Sequence, residues 1–146
     1  MTNQEIAKAF DKTAFFLALK EENEFKISAY VKAAKSIREM PVAIEDMLLA
    51  GEDLTRIEGI GKILAQKVED LIIIGSLKVL DELLAEFPES LYEMSQIKGI
   101  GPKTILKIFD AHKIKSLFEL KMFVQNGEKL AIAAPYECRI KEFFKA

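Results

Sequence analysis

The chain has 146 residues, of which 50% are hydrophobic and 30% charged, a composition that is ordinary for one or two small folded domains. Its formal net charge is −2, so nucleic acid could be bound only by a local basic face and not by the field of the whole molecule. One cysteine and one histidine exclude an internal disulfide and a zinc site of clustered ligands. No secretion or membrane signal is visible, and we predict an intracellular protein, in the cytoplasm, nucleoid or nucleus, without a metal site.

Apolar residues at helical spacing, together with capping and stop residues, predict a succession of helices. Thr2-Asn3-Gln4-Glu5 has the spacing of a capping box, and Gly75 stands where the end of a helix prefers glycine. The predicted helical segments cover residues 3–21, 24–39, 44–50, 54–57, 62–74, 76–87, 90–97, 102–111, 116–126 and 136–145. Only Leu71–Ile74 has the composition of a strand, and in no segment do apolar and polar residues alternate with a two-residue period. We therefore predict an all-α fold.

A break at Phe87-Pro88-Glu89-Ser90 divides the chain into two predicted domains, 1–88 and 89–146, because proline forbids continuation of the helix before it. Each half contains one copy of the pattern hydrophobic-x-Gly-hydrophobic-Gly. The copies are Ile57-Glu58-Gly59-Ile60-Gly61 and Ile97-Lys98-Gly99-Ile100-Gly101. Each leads into an amphipathic segment, and in the second copy Pro102 suits the first turn of the following helix.

The repeated glycine pattern is typical of helix-hairpin-helix units, which grip the DNA backbone. Glycine permits a tight turn with positive φ and leaves no Cβ between the backbone and an approaching phosphate. The amides at the start of the next helix, and its dipole, then favour an anion. The predicted DNA-binding residues of the two turns are Gly59, Ile60, Gly61, Lys62, Gly99, Ile100, Gly101 and Lys103. The alternative is that each Gly-Ile-Gly only ends a helix.

Charge is distributed unevenly around the second copy. Five lysines surround it with Asp110 as the only opposing acid, and they are Lys98, Lys103, Lys107, Lys113 and Lys115. The preceding stretch is acidic and contains Asp81, Glu82, Glu86, Glu89 and Glu93. The second hairpin therefore offers the local basic face that the net charge requires, whereas the acidic stretch suits a solvated helix face.

Several segments, in order, resemble the N-terminal region of family X DNA polymerases, the polymerase beta-like group. They are Lys26–Ala34, Ile57–Gly61 with Ala65–Val68, Gly75-Ser76-Leu77 and Ile97–Pro102. The resemblance implies a lyase-domain-like helical bundle followed by a second small helical subdomain with its own hairpin. It does not include the palm with its pair of metal-binding aspartates, so we do not expect these 146 residues to polymerise nucleotides.

The resemblance also implies roles for individual residues. The first hairpin would bind the downstream strand of a gap with its 5′-phosphate, and the second would bind the primer strand. Lys26 and Tyr30 match residues that line the 5′-phosphate pocket, although Tyr30 fits a core aromatic with its hydroxyl at the surface equally well. Phe25 replaces a histidine that stacks on a base, and a phenyl ring can still stack.

By the same resemblance, Lys67 matches the lysine whose amine attacks C1′ of a 5′-deoxyribose phosphate. That chemistry needs a neutral amine, and a free lysine with a pKa of about 10.4 is almost wholly protonated at neutral pH. Ile63 shares a helical face with Lys67 and could help to exclude water, whereas Glu69 and Asp70 would oppose deprotonation. Ile63 stands in place of a phosphate-contacting lysine, for which Lys62 could partly compensate. The alternative for Lys67 is a solvated lysine that contacts a phosphate.

Three functions stay open from the sequence. The first is a sequence-independent DNA-binding module for gapped or nicked duplex with a 5′-phosphate, in DNA repair and specifically base excision repair. The second adds 5′-deoxyribose phosphate lyase activity through a Schiff base on Lys67. The third is a protein-interaction module, which the acidic stretch 81–93 supports.

The expected partner is DNA, with a separate repair polymerase or ligase acting beside a monomeric chain that binds no membrane. No cofactor is expected, apart from a monovalent cation that hairpin-loop carbonyls hold in related proteins.

Overall fold

The computed structural model describes residues 1–145, and every regular element in that range is a helix. The α-helices are α1 (Asn3–Leu19), α2 (Glu24–Glu39), α3 (Ile44–Leu49), α4 (Lys62–Ile74), α5 (Lys78–Glu86), α6 (Pro102–His112), α7 (Leu117–Gln125) and α8 (Ala134–Lys145). Two 3₁₀ helices, Leu54–Arg56 and Glu89–Gln96, precede α4 and α6. The predicted all-α fold is confirmed, and the strand-like Leu71–Ile74 lies inside α4.

Two compact units make up the chain, Met1–Ala85 and a second that begins at Glu86. In the first unit, α1 and α2 pack against each other and form most of the core. One face of α1 is buried, and its members include Ile6, Phe10, Thr13, Phe16 and Leu17. From α2, Tyr30 meets the Phe10 ring edge to face at 5.5 Å between centroids. Such aromatic pairs add to the stability that burial alone confers.

The first helix begins as predicted and ends earlier. The Thr2 hydroxyl accepts a hydrogen bond from the Glu5 amide, which gives one half of the predicted capping box. Glu21 then adopts a left-handed φ of 59°, and the Glu22 amide bonds back to the Leu17 carbonyl. The helix therefore ends at Leu19 and not at residue 21, because a left-handed residue closes the last turn.

A three-residue spacing of apolar side chains explains the 3₁₀ segments. Leu91, Met94 and Ile97 are all buried, and so are Leu54 and Ile57 at the same spacing before the first hairpin. Residues three apart lie on one face of a 3₁₀ helix, so this spacing buries a single row of side chains. The predicted helical segment 90–97 is thus a 3₁₀ helix over Glu89–Gln96.

In the second unit, α6 and α7 pack on the 3₁₀ helix Glu89–Gln96. The Ser116 hydroxyl caps α7 by accepting from the Glu119 amide. The connection from α7 to α8 is held by two side chains. Glu137 is buried and accepts a 2.7 Å hydrogen bond from the Leu130 amide. His112 Nε2 accepts from the Ala131 amide at 2.9 Å, which fixes the connection against the end of α6.

Across residues 1–145, none of the helices has both the length and the apolar composition that a membrane span requires.

Candidate nucleic-acid interface

The two glycine turns have the same backbone geometry. Gly59 and Gly99 have φ values of +79° and +90°, in the left-handed region that favours glycine. Gly61 and Gly101 are extended and stand at the N-caps of α4 and α6. A Cβ at Gly61 or Gly101 would meet nothing within 4 Å, so the turn is open on that side. Two equivalent hairpins, one in each compact unit, are therefore formed.

Within each turn, the glycines are exposed and the isoleucines are buried. Ile60 is 3% exposed and Ile100 is 9% exposed, so their side chains anchor the turns in the cores of their own units. The Ile60 amide also donates to the Ile57 carbonyl at 3.0 Å. The side chains of the two isoleucines therefore position the turns, and DNA binding by these two residues stays a prediction.

The helices that follow the turns begin differently from the other helices. Thr2, Asn23 and Ser116 cap α1, α2 and α7 with their side chains, whereas the glycine N-caps of α4 and α6 provide no such bond. The remaining six α-helices each have an acidic residue in the first turn, and α4 and α6 have none. Their first-turn amides and dipoles are thus left uncompensated, which favours an external anion.

Charged side chains flank the two turns unequally. Around the second turn Lys98, Lys103 and Lys107 are all exposed, and the last two lie one helical turn apart on α6. At the first turn, Arg56 and Lys62 are exposed, and the exposed acid Glu58 lies between them in the sequence. Basic charge is therefore concentrated at the second hairpin.

Asp53 adds a second negative charge before the first hairpin. Its carboxylate accepts hydrogen bonds from the Thr55 hydroxyl and amide, at 2.7 and 3.0 Å. These bonds, and then the nearby charges of Arg56 and Lys62, lower the pKa of Asp53 below its ordinary value. The residue therefore stays ionised at neutral pH and partly offsets the positive charge of Lys62.

The residues predicted for a 5′-phosphate pocket on α2 are divided between surface and core. Phe25 is 86% exposed, and Lys26 next to it is exposed as well. Tyr30 is only 2% exposed, and its buried hydroxyl has no hydrogen-bond partner among the described residues. The hydroxyl is therefore not at the surface, contrary to the expectation for a core aromatic, and burial raises the pKa of the phenol. Phosphate binding by Tyr30 stays a prediction.

Lys67 lies in the middle of α4 and is half-buried. Ile63, one turn earlier on the same helix, is 75% exposed and does not form an apolar enclosure around the amine. Glu69 and Asp70 follow, and the Asp70 carboxylate accepts a hydrogen bond from Gln66 at 3.0 Å. The structure therefore places Lys67 on the helix that leaves the first hairpin, and its catalytic role stays a prediction.

One residue at the second turn was missed by sequence reasoning. Arg139 in α8 donates from Nη1 to the Gly99 carbonyl at 2.6 Å. Forty residues separate Arg139 from Gly99, and the sequence of α8 contains no motif that predicts the contact. Only the packing of α8 in the second unit brings the guanidinium to the turn.

No group of three or more His, Cys, Asp or Glu side chains within residues 1–145 is arranged to hold a metal ion. The carbonyl oxygens of the turns are hard donors of the kind that suit a monovalent cation. Binding of such a cation stays a prediction.

Comparison with known families agrees with this geometry. A family model for a helix-hairpin-helix domain matches residues 1–77, just over half of the chain. The chain belongs to the helix-hairpin-helix domain family. A second model, for a SAM-like helix-hairpin-helix tandem, matches residues 91–133 and includes the second glycine turn. The predicted tandem of helix-hairpin-helix units is thereby confirmed.

A curated relative of this helix-hairpin-helix protein supports the resemblance drawn from the sequence. The DNA polymerase/3′-5′ exonuclease PolX of Bacillus subtilis (strain 168) is 30% identical over 122 residues. The similarity covers 82% of this chain and 21% of that protein, so the chain spans about a fifth of its relative's length. The predicted similarity to the family X polymerases is confirmed.

Proposed function

We propose that this chain binds DNA through the sugar-phosphate backbone, without reading base sequence, and acts in DNA repair. One observation carries the proposal: two exposed glycine turns each lead into a helix without a side-chain cap and without an acid in its first turn. Backbone amides at such a helix start suit a phosphate oxygen, whatever the base attached to it. The Bacillus relative is a DNA polymerase and exonuclease, which supports the same substrate.

The specific ligand that we propose is a gapped or nicked duplex with a 5′-phosphate. The first unit carries, besides its hairpin, the exposed pair Phe25 and Lys26 at the start of α2. An exposed phenyl ring can stack on an unpaired base, and an exposed ammonium can pair with a terminal phosphate. A DNA end offers both groups, whereas a continuous duplex keeps its bases stacked.

The test is fluorescence anisotropy with three oligonucleotide duplexes, which are gapped with a 5′-phosphate, gapped with a 5′-hydroxyl, and continuous. We expect the tightest binding to the phosphorylated gap. Neutralisation of about two to four phosphates predicts a slope of log K against log salt of about −2 to −4. Equal affinity for the two gapped duplexes would contradict end recognition, and a slope near zero would contradict backbone binding altogether.

A second candidate function is 5′-deoxyribose phosphate lyase activity through Lys67. Its support is that Lys67 is half-buried, whereas Lys62, Ile63 and Gln66 before it on α4 are exposed. The amine must lose its proton before it can form a Schiff base with the opened sugar. In the proposed step the amine nitrogen attacks C1′ of the opened sugar and water leaves. Loss of a proton from the adjacent carbon then expels the 3′-phosphate by β-elimination.

A further inference from the structure

The two hairpin turns differ in what lies beside their first glycine. A Cβ at Gly59 would meet only the neutral Ser36 hydroxyl, at 3.7 Å. A Cβ at Gly99 would lie 2.5 Å from Cδ and 2.9 Å from Nε of Arg139, closer than real atoms approach. The Arg139 side chain therefore lies directly on the second turn, in space that only glycine at position 99 leaves open.

Two contacts fix the Arg139 guanidinium at this position. Nη1 donates to the Gly99 carbonyl at 2.6 Å, and Cζ lies 5.3 Å from the centre of the Tyr136 ring. A guanidinium has five N–H donors, so four stay available after the bond to Gly99. A charge that is already ordered loses less side-chain entropy when it binds an anion than a free lysine does.

The guanidinium of Arg139 has no acidic ion-pair partner among the described residues of its unit. The residue is exposed, and no carboxylate among the described residues lies within ion-pair distance of it, although Glu142 lines the same shallow groove. Lys98 precedes Gly99 in this turn, where the first turn has Glu58. The ordered guanidinium of Arg139 and the exposed Lys98 therefore both contribute positive charge at the second hairpin.

We propose that Arg139 is a phosphate-binding residue of the second hairpin, acting beside the uncapped amides of α6. This makes the second hairpin the stronger of the two backbone contacts. The inference rests on the proposed DNA binding and adds a residue that lies beyond the matched range 91–133. The recognised chemistry is that of any DNA backbone phosphate, because a guanidinium pairs with phosphate oxygens whatever base the nucleotide carries.

The test compares Arg139→Gln with Lys141→Gln, which removes the same charge from an exposed residue of the same helix. Anisotropy titrations of the gapped duplex at several salt concentrations give both the affinity and the salt slope. We expect Arg139→Gln to weaken binding about tenfold and to make the slope about 0.9 less steep. Lys141→Gln should change affinity by about twofold at most, because residues two positions apart on a helix do not share a face.

A third variant, Arg139→Lys, separates charge from hydrogen-bond geometry. It should keep the salt slope of the unaltered chain and bind with intermediate affinity, since an ammonium keeps the charge but loses the planar donor fork. Weaker binding of Arg139→Gln with an unchanged slope would mean that Arg139 only supports the turn, and would overturn the inference. Unchanged affinity and slope would also overturn it while leaving the proposed function intact. Absence of DNA binding by the unaltered chain would overturn both.

Discussion

Glu137 accepts a hydrogen bond from the Leu130 amide at 2.7 Å, and this bond ties the start of α8 to the connection that precedes it. Glu137→Ala should lower the free energy of unfolding by about 1–3 kcal/mol, because it leaves the Leu130 amide buried without a partner. Glu137→Gln keeps an acceptor oxygen and should cost less. Urea unfolding followed by circular dichroism measures both, and equal losses in the two variants would contradict the role of the bond.

The positive φ of Gly99 predicts that Gly99→Ala is destabilising. A left-handed alanine costs about 1–2 kcal/mol, and here the added methyl group would also displace Arg139. Gly127→Ala is the matched control, since its φ is +79° and its added methyl group would meet nothing within 4 Å. Both variants should lose stability, and only Gly99→Ala should lose affinity for DNA. Retained affinity in a folded Gly99→Ala protein would favour the alternative of a protein-interaction module.

The buried and unpartnered Tyr30 hydroxyl predicts that Tyr30→Phe raises the free energy of unfolding, by about 1 kcal/mol. The ring and its contact with Phe10 are kept, and only a poorly placed polar atom is removed. Thermal unfolding at neutral pH measures the gain. A loss of stability would show that the hydroxyl has a partner in solution.

Titration of Tyr30 adds a dependence on pH. Because burial raises the pKa of the Tyr30 phenol above its ordinary value of 10.0, the unfolded chain loses this proton at lower pH than the folded chain. The unfolded chain therefore binds fewer protons above pH 10, and stability falls as the pH rises through that range. The difference in free energy of unfolding between Tyr30→Phe and the unaltered chain should therefore grow between pH 10 and the higher pKa of Tyr30 in the folded chain. A difference in free energy of unfolding that stays constant across this pH range would contradict the expectation.

The lyase hypothesis predicts that borohydride reduction traps a covalent adduct between the chain and DNA with an incised abasic site. Lys67→Ala should abolish the adduct, because no other amine would occupy its position on α4. Lys78→Ala, which changes an exposed lysine at the start of α5, should leave it unchanged. Separation on a denaturing gel measures the adduct. Its absence from the unaltered chain would leave DNA binding as the function.

The sequence predicted those parts of the fold that depend on local physics. The bounds of α2 and α4 agree with prediction, because Pro41 and Gly75 stop these helices by their own backbone preferences. The helix predicted over 90–97 is present, but its type was not predictable, since apolar residues at positions 91, 94 and 97 suit both an α-helix and a 3₁₀ helix over so short a stretch. Only packing in the second unit selects the tighter helix.

In the candidate interface, too, the features set by local sequence were predictable and those set by packing were not. The repeated glycines define both turns, and their left-handed φ values follow from the pattern itself. The burial of the Tyr30 hydroxyl and the position of Arg139 depend on how α2 packs on α1 and how α8 packs within its unit. Such contacts join residues far apart in sequence, and periodicity does not encode them.

The glycine N-caps of α4 and α6 have a consequence for the protein's own stability. The side chains of Thr2 and Ser116 accept hydrogen bonds from first-turn amides of α1 and α7. The glycine N-caps of α4 and α6 have no side chain that could do so, and the acceptor for their first-turn amides has to come from solvent or a ligand. A bound phosphate would then take the place of an N-cap side chain, and folding would be thermodynamically linked to DNA binding. The melting temperature should accordingly rise with oligonucleotide concentration, so that part of what keeps this protein folded would be supplied by its ligand.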